Sequence, residues 1–320
     1  MSSDATIVTS WGERPPERSF LTRTLLGVWD FMRRRKVGGV ALVLVVIIIG
    51  LGVIGPYVTP YDKDESFQSE NPNYDPDSLK EEEMSPFTSL RLSNPTGSHL
   101  LGTDDLARDL LTRVLYGAQR SLIFGFGAAS ISTILGAVLG IVSAYFGGRF
   151  DLVIQRIVDA MIAIPGFLFL LLMVQTGETT ILRVLLALSV LGAFGVSRVV
   201  RGATLAVRND VYIEASRVIG ASSGRILFRH IAPNVAAPVI VIFSVTIGSS
   251  ILAEAGLAFL NLGSPGPSWG TMVNVGRQFF DSKPILSLVG GGALTITVLA
   301  FNLLGDGLRD AFDARLRNQE

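Results

Sequence analysis

An all-α membrane protein with six transmembrane helices is the fold class this chain predicts, and three observations carry it. Of its 320 residues, 49% are hydrophobic and only 17% charged. The mean hydropathy of +0.48 lies well away from a soluble globular profile. Six apolar runs approach the ~20 residues an α-helix needs to cross a hydrocarbon core, and the charges, which sum to zero, are sorted by segment.

The runs are Val37 to Val58, Leu122 to Phe146, Ile157 to Val174, Ile181 to Val200, Val235 to Leu257 and Ile285 to Leu304. The first is too long for a signal peptide and lacks a small-x-small cleavage site, which predicts a retained helix. Gly125, Gly127, Gly136 and Gly140 in the second predict close helix approach. In the third, Pro165-Gly166 predicts a kink of the kind found beside transport routes.

Charge sorting predicts orientation. Arg14, Arg18, Arg23, Arg33, Arg34, Arg35 and Lys36 precede the first run. Arg198 stands at the end of the fourth, Arg201, Arg208, Arg217, Arg225 and Arg229 lie between the fourth and fifth, and Arg309, Arg315 and Arg317 follow the sixth. Residues 60–115 instead hold twelve acidic residues against five basic. The positive-inside rule places both termini and the 209–234 segment in the cytoplasm.

The expected division is a cytoplasmic segment 1–36, the first helix 37–58, an extracytoplasmic loop 59–116, a five-helix core 117–305 and a cytoplasmic tail 306–320. Within the loop, Pro72, Pro76, Pro86, Pro95 and the run Glu81-Glu82-Glu83 predict irregular chain. Leu106, Leu110, Val114 and Leu115 predict an amphipathic helix over Leu100 to Tyr116, lying on the outer surface.

Several chemistries lack material. There is no cysteine and only His99 and His230, so no metal site is expected. None of the four lysines stands in a Gly-Lys-Ser/Thr context, so no P-loop holds ATP here. The chain reads as non-catalytic, without a cofactor of its own, and nothing in its charge points to nucleic acid.

Residues 209–234 are a patterned, polar interruption between two spans. Val211, Ala215, Val218 and Ile219 recur at i, i+4, i+7 and i+8, which predicts a helix with one apolar face. Asn209 is placed to cap it, Gly220 to end it, and Ser222 or Ser223 to cap a second short helix. Pro233 suits the first turn of the next helix. Such an element is a docking surface.

Ionisable residues inside spans cost ~2.5–3.5 kcal/mol each at the bilayer centre unless satisfied. Arg156 and Asp159 stand at i, i+3 and can pair. Glu254, beside Gly256, is placed to line an entrance or meet a neighbouring subunit. Trp269 reads as an interfacial anchor ahead of a contact for an outer partner, and Asp306 and Arg309 as a salt bridge or helix end.

Glu214-Ala215-Ser216, then Gly220, then Pro233 thirteen positions on, resembles the cytoplasmic EAA loop of bacterial ABC importer permeases. Ser216 replaces the third alanine and Ala232 stands where leucine is usual. Leu101-Gly102-Thr103-Asp104, Arg108-Asp109, Tyr116-Gly117-Ala118, Pro267-Ser268-Trp269-Gly270 and Phe301 through Asp310 resemble the C-type permease of dipeptide, oligopeptide and nickel importers, over roughly residues 30 to 315. Leu106-Ala107 departs from it, since a glycine usually precedes the arginine.

The resemblance implies a type I ABC importer permease fold in the bacterial cytoplasmic (inner) membrane. It implies a second, different permease subunit, two ATPase subunits that bind ATP and Mg, and an extracytoplasmic substrate-binding protein. Glu214, Ala215, Ser216, Gly220 and Pro233 become the ATPase-coupling residues. Glu254, Pro165, Arg156 and Asp159 fall to the pathway or permease interface, and Trp269, Asp104 and Arg108 to contact with the binding protein. Peptides stand ahead of nickel or another small solute. An ion-driven secondary transporter is the reading from another class, and it would require internal repeats that the chain does not display.

Overall fold

A computed structural model describes residues 31–33, 35–70, 73, 87–177 and 179–317. Arg14, Arg18, Arg23 and Arg34, Pro72, Pro76 and Pro86, and Glu81 to Glu83 lie outside them. Five helices among the described residues are long and apolar enough to cross a membrane. These are α1 (Lys36–Val58), α2 (Leu110–Phe146), α5 (Ile181–Arg208), α9 (Ala236–Phe259) and α11 (Ile285–Arg317). A bent pair, α3 (Gly148–Ala163) and α4 (Gly166–Gln175), gives the sixth span, with 83° between its halves.

The bend falls where Pro165 predicts it. Ile164 ahead of the proline is extended, at φ −74° and ψ 126°, because the proline ring excludes the helical region from its predecessor. Pro165 also removes one helical N–H. The consequence exceeds a kink, since the two halves run nearly at right angles.

α2 is the central post. At 37 residues it is about 55 Å long, well beyond a bilayer core. It begins twelve residues before the expected Leu122. Asp109 caps it, its Oδ2 accepting from the Thr112 amide at 2.8 Å. The amphipathic surface helix expected over 100–116 does not form. Residues 100–109 make turns and bridges, and 110–116 are the opening turns of α2. The physical stop is Ala107, buried at φ 59°, a left-handed conformation that interrupts any helix. It occupies the site where glycine is usual. Residues 59–109 also hold two short antiparallel strands, β1 (Gln68–Glu70) and β2 (Phe87–Ser89), pairing Gln68 with Ser89 and Glu70 with Phe87. The boundary expected at 116/117 thus lies within α2, and that at 305/306 within α11. Asp306 and Arg309 are in the interior of α11 and mark no helix end.

Two apolar clusters fill the bundle. Val45, Ile48, Leu122, Ala129, Ile247, Ile251, Ala300 and Phe301 join α1, α2, α9 and α11. Phe124, Ala128, Leu170, Val174, Val184, Ala187, Leu188 and Leu257 join α2, α4, α5 and α9. α5 lies closest to α2. A Cβ at Gly136 would stand 2.6 Å from the Ala193 carbonyl oxygen, and one at Gly140 2.6 Å from that of Ser197. Only a bare Cα admits that spacing.

Gly140→Val is therefore expected to lower the melting temperature of the detergent-solubilised chain, by overpacking worth about 1–3 kcal/mol. Gly50→Ala is the control, because nothing lies within 4 Å of its Cβ position; it should hold or raise that temperature. Equal losses in both would show that the α2–α5 approach is not the tight contact described.

Candidate functional site

α5 ends at Arg208, with Asn209 as its C-cap. Asp210, extended at φ −68° and ψ 143°, precedes α6 (Val211–Val218), so Asn209 does not cap α6. Gly220 ends α6 as expected, at φ +82°. Its amide donates to the Arg217 carbonyl at 3.0 Å, and Ala221 donates to that of Ser216 at 3.0 Å. That pair of bonds is a Schellman closure, which needs a left-handed residue where Gly220 stands. Ser222 Oγ then accepts from the Arg225 amide, capping α7 (Ser223–Ile226). A π-turn, Leu227–Ile231, leads into α8 (Ala232–Asn234), with Pro233 in its first turn. α9 follows.

One side of this element is clamped to the bundle. Ile213, Ile226, Ile231 and Val235 are buried around Tyr145 of α2, and the Arg217 guanidinium lies 5.5 Å over the Tyr145 ring. Asn234 Nδ2 donates to the Tyr212 hydroxyl at 3.0 Å and to the His230 carbonyl at 2.7 Å. Burial, with a smaller effect from Asp210, pushes the Tyr212 phenol up from its ordinary value, so it remains a neutral acceptor for Asn234. The other side is free: Val211, Val218, Ile219 and Phe228 are each more than 80% exposed. The apolar face read from periodicity points away from the chain's own core. Glu214 and Ala215 share that exposure and Ser216 is half-buried.

The opposite end of the bundle is knitted by charge. Asp104 Oδ1 accepts from the Leu106 and Arg108 amides, both at 2.9 Å. Its Oδ2 meets Arg108 Nη2 at 2.7 Å and Arg113 Nε at 3.2 Å. His99 Nδ1 lies 3.0 Å from Asp109 Oδ1, and both side chains are buried. Glu254 is 1% exposed and stands 3.3 Å from Arg120 Nε of α2. Arg120 in turn donates to the Pro265 carbonyl at 2.7 Å and to Ser264 Oγ at 2.6 Å. Glu254 thus lines no opening. It fastens α9 to α2, while Arg120 holds the 264–265 loop. Trp269 is 3% exposed and donates from Nε1 to the Val114 carbonyl at 3.0 Å. It is a packing residue of α2 and α10 (Trp269–Gln278) and not an interfacial anchor. Asp104 and Trp269 offer no surface to a partner.

Toward the 209–234 end of the bundle, two charged rungs join α3 to α5. Arg201 grips Asp151 with two donors, Nε at 2.8 Å and Nη2 at 2.6 Å. Arg198 donates to Asp159, a partner that sequence spacing missed. Arg156, the partner read from i, i+3 spacing, stands 3.9 Å from the Asp159 carboxylate.

The described residues thus combine five long apolar helices and one bent pair with an exposed apolar element at one end. Residues 136–318 match the family described as binding-protein-dependent transport system inner membrane component. Residues 25–77 match the N-terminal transmembrane domain of oligopeptide transport permease C. The chain is 34% identical over 310 residues to the dipeptide transport system permease protein DppC of Alkalihalophilus pseudofirmus, covering 95% of this chain and 94% of that one. It is 36% identical over 292 residues to the glutathione transport system permease protein GsiD of Pectobacterium atrosepticum, covering 91% of each. This chain belongs to the binding-protein-dependent transport inner-membrane family. It is a multi-pass membrane permease of the ABC importer kind.

In the permease, Arg120→Leu should strip Glu254 of its counter-charge and cost about 3–5 kcal/mol, as removal of one partner from a buried pair does. The double variant Arg120→Leu with Glu254→Leu should recover much of that loss. Thermal unfolding of the four purified forms measures the coupling; additive losses would show that the two side chains act separately.

Proposed function

We propose that this permease is the transmembrane subunit of an ATP-driven importer of peptides, driven through the 209–234 element. The observation that carries the reading is the exposed patch Val211, Val218, Ile219 and Phe228 on an element clamped by Ile213 and closed by Gly220. Four large apolar side chains outside the lipid-crossing helices, held on a rigid support, need a protein partner. Glu214 adds a carboxylate at the patch for a basic groove. The partner in this reading is a pair of ATPase subunits that bind ATP and Mg, since no lysine here stands in a P-loop.

Topology agrees with that assignment. α1 packs antiparallel along α2, its Gly52 against Ala118 and Leu122, so the start of α1 and the end of α2 share one face of the bundle. Arg35 there meets Asp310 of α11, Nη1 to Oδ2 at 3.5 Å. In this reading the face that carries Arg35, Asp310 and the 209–234 element is the cytoplasmic one, as the positive-inside rule expects, and the region between α1 and α2 faces a substrate-binding protein outside the bacterial inner membrane. The named relatives carry dipeptide and glutathione, which share the peptide backbone and a free carboxylate, and this supports peptide cargo. A second, different permease completes the pathway.

Val218→Asp with Ile219→Asp should abolish ATPase co-purification and uptake while leaving the solubilised permease's melting temperature unchanged, because both side chains face solvent. Gly220→Val should do the same through the backbone, since its φ of +82° admits a β-branched residue only with strain although no atom blocks the Cβ. Retained co-purification in the double variant would remove the 209–234 element from the coupling role.

A further inference from the structure

The rung farther from the 209–234 element is unlike its neighbour. Arg208 Nη1 donates to the Ala144 carbonyl at 2.7 Å, so the end of α5 and the Gly147–Gly148 corner that starts α3 share one level. Arg198 stands ten residues before that level on α5, and Asp159 eleven residues beyond it on α3. At 1.5 Å per residue both stand roughly 15 Å along their helices from that level, inside segments long and apolar enough to belong to the spans.

Charges within spans face a bundle interior, a neighbouring protein or water, because hydrocarbon cannot solvate them. The chain's own packing does not enclose these. The side chains of Arg156, Asp159 and Arg198 are 76%, 41% and 55% exposed. By contrast Asp151 and Arg201, one step closer to the coupling element, are 13% and 30% exposed and fully engaged with each other. The nearer rung balances one carboxylate with one guanidinium. The farther rung sets two guanidinium groups against one carboxylate and leaves one positive charge over.

The face around it is open. Gly195 and Gly202 flank Arg198 on α5, and nothing lies within 4 Å of a Cβ at either. Arg156 keeps most of its donors free, in the planar fork that accepts a carboxylate through paired N–H groups. We propose that Arg156, Asp159 and Arg198 form a carboxylate-receiving station on the wall of the transport route, contacting the free acid end of the cargo as it passes. This rests on the permease reading above. It adds a cargo contact that belongs to the permease itself.

The chain has no cysteine, so Ala160→Cys, at an exposed position beside Asp159, gives this chain a single reporter, and labelling is read on this subunit after separation from the complete transporter. Two membrane-impermeant thiol reagents serve as probes, the anionic sulfonatoethyl and the cationic trimethylammonioethyl methanethiosulfonates, with N-ethylmaleimide as the lipid-permeant one. Both charged reagents should react, and the anionic-to-cationic rate ratio, referred to free cysteine, should exceed unity by about tenfold, as local counter-ion enrichment does in a charged cleft. Adding Arg156→Gln should bring that ratio towards one. Arg156 is the most exposed of the three, and that change leaves the Arg198–Asp159 bond intact. Reaction with N-ethylmaleimide alone would place the rung against lipid, and no reaction at all would bury it against a partner subunit. Either result overturns the station, as does a ratio that Arg156→Gln leaves unmoved. Binding-protein-stimulated ATP hydrolysis by the Ala160→Cys transporter separates the two readings: hydrolysis retained with the wrong labelling sinks the station alone, and hydrolysis lost in the unmodified transporter sinks the permease assignment.

Discussion

The backbone approach of α2 to α5 at Gly136 and Gly140 is the constraint from which the other positions follow. Lipid offers helices no hydrophobic incentive to associate, so van der Waals contact and hydrogen bonds must hold them. Removing two Cβ atoms lets the backbones meet, and buried hydroxyls finish the seam. Ser132 Oγ donates across it to the Ser189 carbonyl at 2.9 Å, and Thr204 Oγ1 returns to the Val200 carbonyl of its own helix at 2.8 Å. The rotation and height of α5 against α2 are set there.

That height decides where the chain leaves the bundle. α2 ends at Gly147, left-handed at φ +65°, next to the Arg208 guanidinium that closes α5. Tyr145, one turn inside, is the floor on which Ile213 and Arg217 sit. The 209–234 element is thus held by the end of α2, the end of α5 and the approach to α9 together. A displacement of α6 would be felt by all three, because packed side chains transmit strain rather than absorb it. In the proposed reading, this is how an ATPase beneath the membrane moves a pathway it never enters.

How much of this is legible in sequence depends on the range of the interaction. Apolar runs mark lipid depth, so the spans were readable. Their ends were not, because α2 continues on hydrogen bonds to Leu110 long after hydropathy has dropped, and only the cap at Asp109 and left-handed Ala107 stop it. Pro165 and Gly220 were readable as breaks because their effects are local to φ and ψ. Pairings across helices were hidden. Spacing offers Arg156 to Asp159, yet the nearer guanidinium belongs to Arg198, 39 residues on. Glu254 and Trp269 read as surface residues because each stands near a span end, whereas Arg120 and Val114 of an over-long α2 reach out to bury them.

The two ends of the permease are built on opposite economies of contact. Around the start of α2, Asp104 pairs with Arg108 and Arg113, Asp109 with His99, and Glu254 with Arg120, and breaking the Arg120–Glu254 pair would strand a buried charge. That end resists change. At the other end, Val211, Val218, Ile219 and Phe228 of the 209–234 element are left largely uncovered by the described residues. Covering these four side chains would remove apolar surface from water and is worth free energy to whatever covers them. A conformational equilibrium can be biased only by a ligand that binds its states unequally. In the proposed reading the permease takes that bias through the 209–234 element, and the charged rungs join α3 to α5, the helix that leads directly into that element.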